Sequence, residues 1–290
     1  MKSGMVKSGI KRLLIRLNRW GLMGKAVHGY TVLKSLQQPD TLWKNARYRL
    51  RSGPDGLPIP NAPLRFMVSG GTDIAGFLEM GQLGADSIQS TLSKNGLDIG
   101  DFQSILDFGC GCGRVIRHWK SLDKVQVVGT DYNLELIDWC RENLSFATFK
   151  SNQLAPPMDF ENERFDCIYA LSVFTHMTEQ LQFDWMAELT RVLKPGGYLL
   201  FSTHGDHYQD RVKPEDLARY KAGKIVVANQ ELAGTNYCTT FHPQSYVEST
   251  LSRGFQIVDF IPQGAKGNPE QDLYLFQKLP TDSAVETSDG

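Results

Sequence analysis

The chain has 290 residues, 41% of them hydrophobic and 22% charged, the balance of a globular protein with enough apolar side chains for a large core. Its net charge of −1 conceals a division: residues 1–51 carry twelve Lys and Arg against the single acid Asp40, a net +11, and the remainder is −12. No apolar run reaches the roughly 18 residues of a membrane-crossing helix. Five cysteines with no CxxC pair argue against a disulfide framework and for a reducing, cytoplasmic setting.

The basic arm begins with Ile10, Leu13, Leu14 and Leu17 at helical spacing, with Lys11, Arg12, Arg16 and Arg19 between them. Such an amphipathic helix either docks its apolar face on the acidic body or lies on an anionic membrane surface. Docking is the reading taken, with peripheral membrane contact through residues 1–51 as the alternative. The arginines interrupt any apolar stretch long enough for a secretory signal. Residues 51–66, "RSGPDGLPIPNAPLRF", are dense in Pro and Gly and read as irregular, so the arm and linker are assigned to 1–66 and the main domain to 67–279. A helix is expected near 84–95, ending at Asn95-Gly96, and the segment "SGGTDIAGFLEMG" before it reads as a loop. Residues 280–290 are small, polar and acidic, the composition of a disordered tail.

From residue 103 apolar runs alternate with helical patterns. "QSILDFG" precedes "GRVIRHWKSL", "KVQVVGTD" precedes "NLELIDWCRENL", and a weaker run, "FATFK", leads into a loop. "RFDCIYALS" precedes "TEQLQFDWMAELTRVL", and "GGYLLFSTH" closes the series. Strict alternation implies right-handed βαβ crossovers and an α/β doubly wound, mostly parallel sheet. Ligands on such sheets bind beyond the carboxyl ends of the strands, and there the first strand runs into "DFGCGCGR".

Cys110 and Cys112 are one residue apart, with no second Cys or His pair nearby to complete a metal site, so no metal is assigned. The glycines allow a tight turn and close approach of a ligand to the backbone. Their spacing, Gly109-x-Gly111-x-Gly113, departs from the G-x-G-x-x-G of dinucleotide folds because Arg114 stands where the third glycine belongs.

These residues resemble the first motif of class I S-adenosylmethionine-dependent methyltransferases, acidic-x-Gly-x-Gly-x-Gly at the end of the first strand. Further matches follow in order: Asp131 closing the second strand, "ERFDCIYALSVFTHM" as the fourth, "LTRVLKPGGYLLFSTHG" as the entry to the fifth, and "RGFQIVDFIP" with "QDLYLFQK" as the last two. The resemblance covers about residues 84–278. It implies a seven-stranded Rossmann-like methyltransferase fold whose last strand inserts antiparallel, with S-adenosylmethionine as cofactor. It also implies roles: Gly109, Cys110 and Gly111 against the methionine part, Asp107 toward its amino group, and Asp131 on the ribose hydroxyls. Tyr132 would lie on the adenine, Asn152 at the adenine amine, and Leu171 and Ser172 beside the transferring methyl.

His176 and His204 follow the fourth and fifth strands and are the expected general bases, since imidazole titrates near neutrality. His204, His207 and His242 are the one histidine set a metal would use. Residues 204–242 are an insertion containing a β-hairpin, expected to hang over the substrate pocket as a lid. The acidic body has no basic stripe with interleaved aromatics, so nucleic acid is disfavoured. The expected acceptor is a small molecule such as a sugar, lipid or natural product with an O or N nucleophile. A catalytically silent cofactor-binding scaffold and an NAD-linked oxidoreductase on the same sheet type stay as alternatives.

Overall fold

The computed structural model describes residues 29, 44–46, 48, 53–269 and 271–280. The amphipathic stretch at residues 10–19 and the tail from 281 onward lie outside them.

The apolar runs form β1 (Ser104–Phe108), β2 (Gln126–Asp131), β3 (Thr148–Ser151), β4 (Phe165–Ala170) and β5 (Leu193–Thr203). All five are parallel, and every residue of β1 is buried, as befits a central strand covered on both faces. The last two strands, β8 (Phe255–Ala265) and β9 (Gln271–Lys278), complete a seven-stranded sheet of order β3-β2-β1-β4-β5-β9-β8. β9 runs antiparallel between β5 and β8, so the expected fold class holds. The order reverses between β1 and β4, which opens a crevice at their carboxyl ends.

Side chains alternate across the sheet. Leu106, Ile168, Phe201 and Phe276 face one layer, with Trp185 and Leu189 of the crossover helix α4 (Glu179–Val192). Ile105, Cys167, Leu200 and Leu275 face the other, with Ile88 and Leu92 of α2 (Ile74–Lys94). The remaining helix of the parallel half, α3 (Leu134–Asn143), joins β2 to β3.

Three local expectations are corrected. Helix α2 starts ten residues before the expected 84, because Asp73 caps it by accepting from the Gly76 amide at 2.7 Å. Its glycines are packing positions: a Cβ at Gly81 would stand 2.2 Å from the Arg114 carbonyl oxygen. The irregular stretch expected to reach residue 66 instead gives way to α1 (Ala62–Ser69), capped by Asn61 with Pro63 in its first turn. Conversely, "GRVIRHWKSL" forms only a 3-10 turn at Ile116–Trp119. Both of its arginines turn inward there: Arg117 is fully buried and pairs with Asp55 at 2.5 Å, and Arg114 binds the Gly267 carbonyl at 2.7 Å.

The insertion holds α5 (Leu217–Lys221) and the antiparallel pair β6 (Val226–Ala228) and β7 (Thr239–Phe241). Its strands form the expected hairpin, joined by the ten residues 229–238, which include Gly234. A short helix α6 (Gln244–Tyr246) then runs into a π turn at Val247–Leu251. At the other end of the chain, Asn45 is buried, donates to the Thr72 carbonyl at 3.0 Å and accepts from the Ile74 amide at 2.8 Å. Tyr48 packs against a cluster containing Leu64, Phe77 and Leu136. This end of the basic arm is docked on the body.

Candidate active site

A cavity of about 490 Å³ opens at the carboxyl ends of β1, β2 and β4. α1 covers it from one side with Phe66, Met67 and Val68, and the tip of the 229–238 loop covers it from another with Gly234–Tyr237. Its floor is the glycine turn. The amides of Gly109 and Cys110 both donate to the Thr130 carbonyl, at 2.8 and 2.9 Å, which ties the turn to β2. Gly111 has φ +56°, and a Cβ there would meet Val68 Cγ2 at 2.7 Å. A side chain at this position would lever α1 off the turn.

Two buried carboxylates stand over that floor. Asp131 accepts from the Gly111 amide at 3.0 Å and the Asn133 amide at 2.8 Å. Burial nevertheless pushes its carboxyl up to about 6, against the lowering effect of those amides. Asp107 is pushed up to about 7 by burial, opposed by the Tyr169 hydroxyl that donates to it and by the nearby Arg114. One of its oxygens, Oδ2, has no hydrogen-bond partner. Such a group costs about 1–3 kcal/mol when left unsatisfied, so the fold spends stability to keep it there.

The other expected contacts converge on the same cavity. Cys110, Tyr132, Asn152, Leu171 and Ser172 all line it. The Asn152 amide nitrogen donates to the Gln153 carbonyl at 2.7 Å while its Oδ1 is buried without a partner. Ser172 holds φ +60°, its amide donating to Ser202 Oγ at 2.7 Å and its hydroxyl accepting from Gln271 at 2.9 Å. Arg114 was not singled out from sequence except as an interruption of the glycine spacing. It is buried, lines the cavity, and keeps Nε without a partner.

Residues 105–197 match the family model described as a methyltransferase domain. This stretch of the chain is a methyltransferase domain. Among curated proteins, the chain is 29% identical over 110 residues to the malonyl-[acyl-carrier protein] O-methyltransferase of Salmonella typhimurium, a match spanning 35% of this chain and 39% of that protein. Among solved structures, it is similar to an S-adenosylmethionine-dependent methyltransferase from Methanosarcina mazei, with 23% identity, coverage of 63% of this chain and 94% of the other, and TM-score 0.49. Another, from Mesorhizobium loti, shows 19% identity, coverage of 67% and 100%, and TM-score 0.48.

The unsatisfied groups of the cavity fit S-adenosylmethionine, the cofactor that the sequence motifs imply. The cofactor's amino acid end is a zwitterion. The free oxygen of Asp107 is an acceptor for its ammonium, and the free Nε–H of Arg114 is a donor for its carboxylate. The free Oδ1 of Asn152 is an acceptor of the kind an adenine amine requires, and Asp131 offers a carboxylate to paired hydroxyls.

The histidines divide. His176 follows β4, lines the cavity, and its Nδ1 lies 2.7 Å from the Cys238 carbonyl. A carbonyl only accepts, so Nδ1 carries the proton and Nε2 the lone pair. Burial pushes its pKa below the usual histidine value, which keeps the ring neutral at pH 7. His204 is not among the cavity's lining residues, contrary to the expectation for the residue after the fifth strand. The residue pairs with Phe241 of β7, and its ring packs 4.3 Å from that of Tyr208 with Nδ1 at 3.1 Å from the Thr240 carbonyl. The insertion that was expected to cover the pocket thus covers His204 as well. His242 is engaged by Gln182 at 3.1 Å, and among the described residues no group of His, Cys, Asp and Glu is arranged to hold a metal.

Proposed function

We propose that this methyltransferase moves the methyl group of S-adenosylmethionine onto an O or N nucleophile of a small molecule, with His176 as general base. The observation that carries the reading is the set of polar groups left unsatisfied inside one cavity: Asp107 Oδ2, Arg114 Nε and Asn152 Oδ1, beside the Asp131 carboxylate. Bound there, the cofactor supplies an electrophilic methyl on a sulfonium. The chain's own work is to hold the two reactants in line and to keep water out. Asp107 and Arg114 would hold the amino acid end, Asp131 and Asn152 the nucleoside end, and Tyr132 the face of the base. Leu171, Val173 and Trp185 wall the cavity with apolar surface.

Charge is dispersed rather than created when a neutral or anionic nucleophile displaces a sulfonium, so loss of the acceptor's proton is the step where a side chain contributes most. His176 is neutral, faces the cavity and has its lone pair on Nε2, the form a general base requires. The enclosure of the cavity by α1 and the loop 229–238 supports a small acceptor.

Isothermal titration with S-adenosylmethionine, S-adenosylhomocysteine and NAD tests the cofactor reading. Binding of the first two without the third is expected; NAD binding with neither of the others overturns it. For the base, transfer of a labelled methyl to an acceptor found by screening should fall about 100-fold or more in His176→Ala, with cofactor affinity retained. Unchanged turnover in that variant would remove His176 from the chemistry.

A further inference from the structure

The loop 229–238 is fastened at both ends and across its tip. At the neck, Asn229 Nδ2 donates to the Tyr237 carbonyl at 2.9 Å, beside the β6–β7 pairing. At the tip, the Gly234 amide donates to the His176 carbonyl at 2.8 Å, and Asn236 Nδ2 donates to the Met67 carbonyl of α1 at 2.7 Å. On the return, the Cys238 carbonyl accepts a hydrogen bond from His176 Nδ1. The tip therefore spans the cavity from the end of β4 to α1, with Gly234 seated against Leu154 and Tyr132. His176 is held by this loop through both its backbone and its ring, and among the described residues its ring makes no other hydrogen bond.

We infer that this loop is a latch that couples closure of the cofactor cavity to the protonation geometry of His176, with Asn236 as the positioning residue that fastens it. The tip covers one face of the cavity, and in this proposal the cofactor exchanges through that face when the Asn236–Met67 bond breaks. When the tip lifts, the Cys238 carbonyl leaves Nδ1 and the ring becomes free to carry its proton on Nε2. In that tautomer Nε2 is a donor and cannot take a proton from an acceptor. The base is competent only when the cavity is shut, which confines deprotonation of the acceptor to the water-excluded state. Asn236 lines the cavity, but its side-chain amide is engaged by the Met67 carbonyl, and it acts on His176 through the loop.

The inference rests on His176 as the base, but its test reads the ring directly. The full-length protein is labelled with 15N-histidine, His176 is assigned from the signal lost in His176→Gln, and its tautomer is read from long-range 1H–15N correlations. Wild type should show the Nδ1–H pattern. Asn236→Asp, which keeps the size and loses the donor, should shift His176 toward Nε2–H and speed S-adenosylhomocysteine dissociation about fivefold in stopped flow, the value of one partly exposed hydrogen bond. Asn236→Gln should restore both. Asn229→Gly frees the neck while keeping the positive φ of that position, and should act in the same direction as Asn236→Asp. An unchanged His176 tautomer in both loosened variants overturns the latch, as does faster dissociation that Asn236→Gln fails to reverse. If S-adenosylhomocysteine binds to no variant, the cofactor reading fails, and the tautomer comparison in the free protein still decides the coupling.

Discussion

Asp131→Ala separates a binding role from a structural one because the structure lets both effects be weighed. In the folded protein the carboxylate is buried and pushed up to about 6, so carrying its charge at pH 8 costs about 3 kcal/mol relative to the unfolded chain. Its removal leaves the Gly111 and Asn133 amides without acceptors, at about 1–3 kcal/mol each where no water replaces it. These terms oppose each other, so the melting temperature should move by only a few degrees. The cofactor has no such compensation. Losing hydrogen bonds to a charged acceptor should weaken S-adenosylmethionine by about 1.5–3 kcal/mol, which is about 10- to 150-fold in Kd. Isothermal titration at pH 8, with a thermal melt on the same sample, gives both numbers. A variant that melts like wild type and binds S-adenosylmethionine with unchanged affinity would refute the assignment of Asp131 to the ribose.

Gly111→Val should abolish detectable cofactor binding in the same titration, because φ +56° strains a branched residue and its Cβ would stand 2.7 Å from Val68; normal binding would reduce the glycine run to an ordinary turn. Cofactor affinity should rise with pH between about 5 and 8: Asp107 at about 7 and Asp131 at about 6 are partly protonated in the free protein, and the ligand binds their ionised forms. Titrations in buffers of different ionisation enthalpy should show proton release on binding near pH 6.5, and a flat Kd with no proton release would contradict this. The same two groups, raised above their unfolded value of 3.8, make the free protein lose stability as pH rises from about 4 to about 7, which a series of melts would show. Asn45→Ala should lower stability by about 1–3 kcal/mol in a denaturant titration through its two buried bonds to Thr72 and Ile74; no change would mean that this end of the arm rests on the body without supporting it.

The sheet was legible because its strands are buried on both faces and read as unbroken apolar runs, and Asp107, Gly109, Gly111 and Asp131 were legible because they sit where those runs end. Elements whose form is set by partners distant in sequence were not. Whether "GRVIRHWKSL" is a helix depends on Asp55 and Gly267, which bind Arg117 and Arg114. The start of α2 was hidden by its glycines, of which Gly81 lies against the Arg114 backbone and Gly84 against the Val115 side chain. His176 and His204 looked equivalent, since each follows a strand into the catalytic end of the sheet. They differ only because β7 folds back onto His204, a pairing between residues far apart in the chain. Arg114 had a sequence signal, a cation where a dinucleotide motif places a glycine, but its unpaired Nε is visible only in three dimensions.

The position of these parts bears on what the chain can select. Residues 105–197, which match the methyltransferase domain, supply the sheet side of the cavity: the glycine turn, both carboxylates, Asn152 and His176. The opposite side comes from outside that stretch, from α1 and from the tip of the 229–238 loop, bridged to each other by Asn236 and Met67. α1 is in turn tied to the docked end of the basic arm, because the Thr72 carbonyl accepts from Asn45 and also from Arg65 of α1 at 2.6 Å. Val68 of the same helix leaves room for Gly111 and for nothing larger. Under the proposed function, the matched stretch would hold the cofactor, and α1 and the loop tip would face the acceptor across the same cavity. On that reading, a substitution in α1 or in the loop tip should change what is methylated while leaving Asp107 and Asp131 in place, whereas one at Gly111 displaces α1 through Val68.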